Sequence, residues 1–196
     1  MSRNESSGAN GRRLAVIIGS VREGRVGPAI AHWFAGAAGQ HGLFDIDIVD
    51  LADFRLPLDM SRESEHDGDA LAARLDEADA FAVVTPEYNH GYPAALKNAI
   101  DWTTTQWRAK PVCFVSYGGQ SGGSRAVEQL RPVFVETHTM TLRETVSINN
   151  PWDEFAPSGL RCDEARWAAR AKRLLDQLAW WCTALKDARQ KAPYEG

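Results

Sequence analysis

The sequence predicts an α/β domain in which a doubly wound, five-stranded parallel sheet carries helices on both faces. Three observations lead there. Short continuous apolar runs, the mark of strands buried on both faces, alternate with segments whose apolar residues recur at helical spacing. That alternation calls for parallel pairing through right-handed crossovers. The 196 residues, 44% hydrophobic and 24% charged, suffice for one core without metal or disulfide staples.

The elements follow in order. Arg13 to Gly19 is an apolar run closed by glycine, and a polar loop from Ser20 to Arg25 follows it. Val26, Ile30, Trp33, Phe34 and Ala37 then mark a helix, with Pro28 in the first turn, where a missing N–H costs little. Phe44 to Leu51 alternates polar and apolar, as a less buried strand does. After a long loop from Ala52 to His66, Leu71 and Leu75 mark a short helix over 69–79, and Ala80 to Thr85 is the third strand, stopped by Pro86. Pro93 opens a helix through Leu96, Ala99 and Ile100, with Trp107 expected near its end. Lys110 to Tyr117 is the fourth strand. Ala126 to Glu136 is a helix with an expected kink at Pro132, and Thr139 to Ile148 is the fifth strand. A Pro/Asn-rich crossing over 149–160 leads to a last helix over about 163–189, striped by Trp167, Ala171, Leu174, Leu175, Leu178, Trp181 and Leu185. The expected organisation is a polar N-terminal tail over 1–11, one domain over 12–190 and a C-terminal tail over 191–196.

Bulk properties narrow the function. A formal charge of -4 does not attract a polyphosphate, so nucleic acid is not an expected partner. No stretch reads as a membrane span or a signal peptide. Cys113, Cys162 and Cys182 form no CxxC pair; they read as reduced thiols, which fits a cytoplasmic location. No metal site is expected.

Ligands of open parallel sheets bind beyond the carboxyl ends of the strands, where strand order reverses. Three unusual loops follow strand ends here. The first, 19–27 (GSVREGRVG), is a glycine-bearing turn into a helix N-terminus, with Ser20, Arg22 and Arg25. Such a turn offers N–H groups to an anion, although it matches neither GxxxxGK[ST] nor GxGxxG. A solvated turn with two surface arginines is the other reading. The second, 85–93 (TPEYNHGYP), sets two aromatics, an amide and a carboxylate between prolines, a surface for a planar ligand. His90 there is either a proton relay or plain polar surface. The third, 116–124 (SYGGQSGGS), is rich in glycine; it lets backbone approach a flat ligand or is a flexible turn.

These motifs resemble the NAD(P)H-dependent FMN reductase family, which includes flavin, quinone, azo and chromate reductases. The carriers are 19–25 (GSVREGR), 85–102 (TPEYNHGYPAALKNAIDW) and 116–123 (SYGGQSGG), and the resemblance covers about residues 13–185 in order. It implies a flavodoxin-like fold and an FMN site in which Ser20, Arg22, Arg25 and Val26 hold the phosphate. Pro86, Glu87, Tyr88 and Asn89 would lie along the isoalloxazine, and Ser116, Gly118 and Gly119 would form a third wall. Relatives often carry Ser and Asn where this chain has Arg25 and Gly27.

The resemblance further implies an enzyme in which hydride passes from NAD(P)H to FMN and electrons then pass to a small acceptor, by a ping-pong scheme with no dedicated catalytic side chain. It also implies a homo-oligomer, a dimer or a dimer of dimers. The seven tryptophans point the same way, since aromatics are enriched at interfaces; Trp102 and Trp107 are candidates, and filling the monomer core is the alternative. A non-catalytic FMN electron carrier or redox sensor shares the fold. A serine hydrolase is the remaining rival, because Gly119-Gln-Ser121-Gly-Gly123 fits G-x-S-x-G; its only later histidine is His138, with Glu128 and Glu136 between.

Overall fold

The structure is a computed structural model that describes residues 11–152, 154–156, 159–160 and 164–196. Apart from Gly11, the expected N-terminal tail lies outside the described residues, as does Cys162.

Five parallel strands form one sheet in the order β2-β1-β3-β4-β5: β1 (Arg12–Ile18), β2 (Phe44–Asp50), β3 (Ala80–Pro86), β4 (Pro111–Gly118) and β5 (Met140–Asn149). Side chains alternate across a strand, and β1 shows the result. Leu14, Val16 and Ile18 join one apolar cluster, whereas Ala15 and Ile17 join the other. The first cluster is closed by α1 (Gly27–His41) and α5 (Glu164–Lys191), and the second by α2 (Gly68–Asp76), α3 (Ala94–Trp102) and α4 (Ser124–Glu136). Every residue of β3 and β4 is buried, whereas β2 keeps only Phe44 and Val49 buried. That matches its place at the sheet edge.

Most boundaries fall within a few residues of expectation. α1 carries Pro28 in its first turn and ends on Gly42 at φ 80°, the left-handed conformation glycine adopts without penalty. α4 runs through Pro132 to Glu136. α3 departs from expectation by stopping at Trp102. Thr103 is extended there, and its hydroxyl turns back to donate to Ala99 O at 2.7 Å. Trp107 therefore lies beyond the helix, and its indole N–H reaches Thr103 O. Its ring packs on Phe81 and Phe134, 4.6 and 5.3 Å away between centroids. Within the expected crossing, β6 (Phe155–Ala156) and β7 (Gly159–Leu160) pair antiparallel. Phe155 enters the core against Trp33 and Trp167. The C-terminal segment is tied down, because Tyr194 Oη shares a 2.8 Å hydrogen bond with His138 Nδ1.

Trp102 and Trp107 are 5% and 1% exposed. They fill the core, so neither supports an interface; Trp152 and Trp180, by contrast, are largely exposed. Cys113 and Cys182 are free and buried.

Candidate cofactor site

β1 and β3 are neighbours, but their connections leave to opposite faces, β1 into α1 and β3 into α3. A crevice opens at such a switch point. The loops after β1, β3 and β4 meet there, as the sequence predicts.

In the first loop Ser20 is fully buried, and its hydroxyl shares a 2.7 Å hydrogen bond with Tyr88 Oη. Arg22 is exposed and lies over the Tyr88 ring, 5.8 Å from its centroid; it makes no ion pair among the described residues. Arg25 is engaged differently. Its guanidinium forks onto Asp50 at the end of β2, Nη1 to Oδ1 at 2.8 Å and Nη2 to Oδ2 at 2.6 Å, and also donates to Ser20 O. Its charge is thus neutralised inside the fold, and its visible role is to brace the loop. Val26 precedes α1 without a side-chain cap, and the first turn has no acidic residue. Pro28 has no N–H and the Ala29 amide donates to Val26 O at 3.1 Å, so the helix start offers the Gly27 amide and the partial positive charge of the helix end.

The second loop is tighter than its prolines alone require. Tyr88 and Gly91 exchange both backbone hydrogen bonds at 2.9 Å, and Asn89 and His90 between them have φ 49° and 69°. Positive φ at both central positions defines a type I′ hairpin turn. Asn89 and His90 stand exposed at its tip, with His90 O held by Gln129 Nε2 at 2.8 Å. Pro86 is buried at the end of β3.

Glu87 faces the third loop. Its carboxylate accepts from Ser121 Oγ at 2.7 Å, Arg125 N at 3.1 Å and Arg125 Nη1 at 2.9 Å, and the side chain is 8% exposed. Burial by itself would raise its pKa. The Ser121 hydroxyl, the Arg125 amide and guanidinium, and His90 outweigh that and hold the carboxyl below its ordinary range. Its amide is spent on Tyr117 O at 2.9 Å. Glu87 thus clasps the second loop to the third and to the start of α4.

In the third loop the buried Ser116 hydroxyl donates to Gly122 O at 2.8 Å, which fixes the turn. A Cβ at Gly123, at φ 86°, would lie 2.7 Å from both Ser116 Cβ and Tyr117 N, so only glycine fits. Gly118 lies against Glu87, whereas Gly119 faces open space. The loop thus leaves an uncluttered wall beside the hairpin.

Tyr117 is not among the residues the sequence nominates. It is 6% exposed, and its hydroxyl has no hydrogen-bond partner. A Cβ at Gly27 would sit 2.8 Å from that oxygen, so the phenol reaches beneath the first turn of α1. The signal for it is parity: Tyr117 shares a strand face with Cys113 and Val115, the face that packs against α1.

The hydrolase constellation does not assemble. Ser121 donates to Glu87, and His138 lies just before β5 while Ser121 lies just after the parallel β4. The two are separated by a strand length, about 25 Å at 3.3 Å per residue. Among the described residues no group of three or more His, Cys, Asp or Glu could hold a metal ion, and no helix is long and apolar enough to cross a membrane.

Fold and site together define a flavodoxin-like α/β protein with three loops converging at the sheet's switch point. A model of the NADPH-dependent FMN reductase family matches residues 12–153, and the chain belongs to that family. Among curated relatives, an NAD(P)H-dependent FMN reductase of Schizosaccharomyces pombe is 41% identical over 132 residues, 62% of this chain and 64% of the relative. One of Saccharomyces cerevisiae is 38% identical over 144 residues, 62% of this chain and 72% of the relative. The chain thus spans just under two thirds of the first and somewhat more of the second. Among solved structures, the flavoenzyme NAD(P)H:(acceptor) oxidoreductase of Paracoccus denitrificans superposes with a TM-score of 0.72 at 24% identity, covering 88% of this chain and 98% of that one. That likeness shows the fold.

Proposed function

We propose that this protein binds FMN at the switch point and uses it as an oxidoreductase, taking reducing equivalents from NAD(P)H and delivering them to a small acceptor. The observation that carries the reading is the convergence of the Ser20–Tyr88 hydroxyl pair, an uncapped helix start, a type I′ hairpin and an open glycine wall on one crevice. The residues present fit the cofactor. A phosphate suits the start of α1, where Ser20 and Arg22 stand and where a buried phenol lacks a partner. A flat ring suits the surface made by the backbone at 86–89 and the adjoining glycine wall, where Gly119 faces open space.

When bound, FMN would supply the redox chemistry, accepting hydride from NAD(P)H and then reducing the acceptor in ping-pong order. The protein's tasks are binding, orientation and exclusion of water. Ser20 and the Gly27 amide at the start of α1 anchor the anion. Tyr88, tied to Ser20, fixes the hairpin relative to that anchor, and Glu87 clasps the hairpin to the opposite wall. No side chain is assigned to proton abstraction, and His90 is an exposed hairpin residue. Curated relatives include a 2-hydroxy-1,4-benzoquinone reductase of a Burkholderia species, 35% identical over 101 residues, 48% of this chain and 51% of the relative. A quinone is therefore the first acceptor to test, with free flavin second.

A homo-oligomer belongs to the same proposal. Its support is apolar surface: Leu58, Met60 and Val21 are exposed. Val21 and Leu58 border a hollow of about 380 Å³ with Phe54, Leu56 and Ala95. The test of the functional reading is steady-state turnover with NADH and NADPH against benzoquinone and free FMN. Oxidation of either nicotinamide that depends on acceptor and on added FMN supports the enzyme; FMN binding without turnover supports an electron carrier.

A further inference from the structure

Tyr117 ends in a buried oxygen that the fold leaves unused. Tyr117 is 6% exposed, and its Oη has no partner although Ser20 and the Gly27 amide lie beside it. A buried polar group without a partner is costly and rare, and its place explains what it waits for. It lies under the first turn of α1, which has no side-chain cap and no acidic residue. The guanidinium the sequence offers for this corner, that of Arg25, is already forked onto Asp50. Gly27 makes the approach possible, since a Cβ there would lie 2.8 Å from Oη. Two features of this chain, an arginine withdrawn onto Asp50 and a glycine at the start of α1, are thus met by one phenol.

We propose that the Tyr117 hydroxyl is a phosphate-binding group of this site, donating from beneath α1 to the terminal phosphate of the flavin and so discriminating FMN from riboflavin. Burial pushes the phenol above the ordinary tyrosine range, opposed by Arg25, the Gly27 amide and Ser20. The group therefore stays protonated at neutral pH and acts as a donor. Its effect is on cofactor selection alone, because the phosphate end of FMN is remote from the redox ring. The inference rests on the FMN reading above.

The experiment is fluorescence titration of flavin-stripped protein with FMN and with riboflavin, for wild type, Tyr117→Phe and Gly27→Ala. Wild type should prefer FMN. Tyr117→Phe should lose about ten- to a hundredfold in FMN affinity, the span of one hydrogen bond to a charged group, with riboflavin affinity unchanged within about twofold. Its urea midpoint should be equal to or above that of wild type, because the variant removes an unpartnered hydroxyl. Gly27→Ala, which places a methyl against Oη, should reproduce the selective loss. Equal falls for FMN and riboflavin in Tyr117→Phe would mark the residue as structural packing, and an unchanged FMN affinity would remove it from the cradle; either overturns the inference and leaves the FMN reading standing. Wild type that binds riboflavin as tightly as FMN would overturn the phosphate reading, and this inference with it.

Discussion

Replacing Asp50 by asparagine separates two roles for Arg25 that predict opposite results. If Arg25 braces the first loop, Asp50 is its anchor, and loosening the pair disorders the crevice. If Arg25 instead serves the phosphate directly, Asp50 competes with the ligand, and removing its charge frees the guanidinium. The structure favours the brace. Both Asp50 oxygens accept from Arg25, at 2.8 and 2.6 Å, the two side chains are 16% and 18% exposed, and Asp50 Oδ1 also holds the Ala52 amide at 3.0 Å. Exposed ion pairs contribute about 0–1 kcal/mol, and breaking a buried one costs roughly 3–5 kcal/mol. A pair this sheltered lies between, so Asp50→Asn should cost about 2 kcal/mol. With a urea slope of roughly 2 kcal/mol/M, the unfolding midpoint should fall by about 1 M. FMN affinity, followed by quenching of flavin fluorescence, should fall about tenfold, the equivalent of 1.4 kcal/mol. Arg25→Lys should behave alike, since an ammonium keeps the charge but cannot fork onto both oxygens. Tighter FMN binding by Asp50→Asn, or wild-type affinity in Arg25→Lys, would refute the brace.

Ser121→Ala should leave NAD(P)H oxidation within about tenfold, because hydride transfer to a flavin needs no serine nucleophile; a loss of several orders of magnitude with FMN still bound would revive the hydrolase-type elbow. Lys110 is nearly buried, donates to Leu75 O and Asp76 O, and has its pKa lowered from 10.5 to about 8 by burial and Arg189, against Asp76 and Asp79. Between pH 8 and 10.5 the unfolded chain therefore holds the extra proton, so this residue makes stability rise with pH across that window, by about 3 kcal/mol in all. The buried thiols, whose pKa values are raised by burial, act in the opposite sense. The readout is accordingly wild type minus Lys110→Met in urea titrations, where the difference should grow in favour of wild type from pH 8 upward and parallel curves would contradict it. If a second subunit completes the crevice, diluting the protein to monomer, followed by light scattering, should weaken FMN binding and activity together; an active monomer that retains FMN would exclude that assembly.

What could be read from sequence, and what could not, follows the range of the interactions. The buried strands announce themselves because parallel sheets covered on both faces demand unbroken apolar runs, as in β3 and β4. The three loops are legible because glycine, proline and hydroxyl residues gather where strands end. The end of α3 is not legible, since it depends on Trp107 folding back onto Phe81 and Phe134, contacts that local periodicity does not encode. Within the site, the partners rather than the residues escape notice. Arg25 reads as a free cation until Asp50, at the end of β2, is seen to hold it. Glu87 reads as a ring-facing carboxylate until Ser121 and Arg125, more than thirty residues away, claim it. Tyr117 reads as one more apolar strand residue until its oxygen is found without a partner.

The central claim is that the crevice holds FMN and turns it over with a nicotinamide. Stopped-flow mixing of the FMN-loaded protein with NADPH, under anaerobic conditions and followed at the flavin absorbance, tests it most directly. The bound flavin should bleach on mixing and recover its oxidised spectrum when benzoquinone is then added, with no acceptor needed for the first phase. A flavin that stays oxidised in the presence of both NADPH and NADH, while remaining bound, would contradict it.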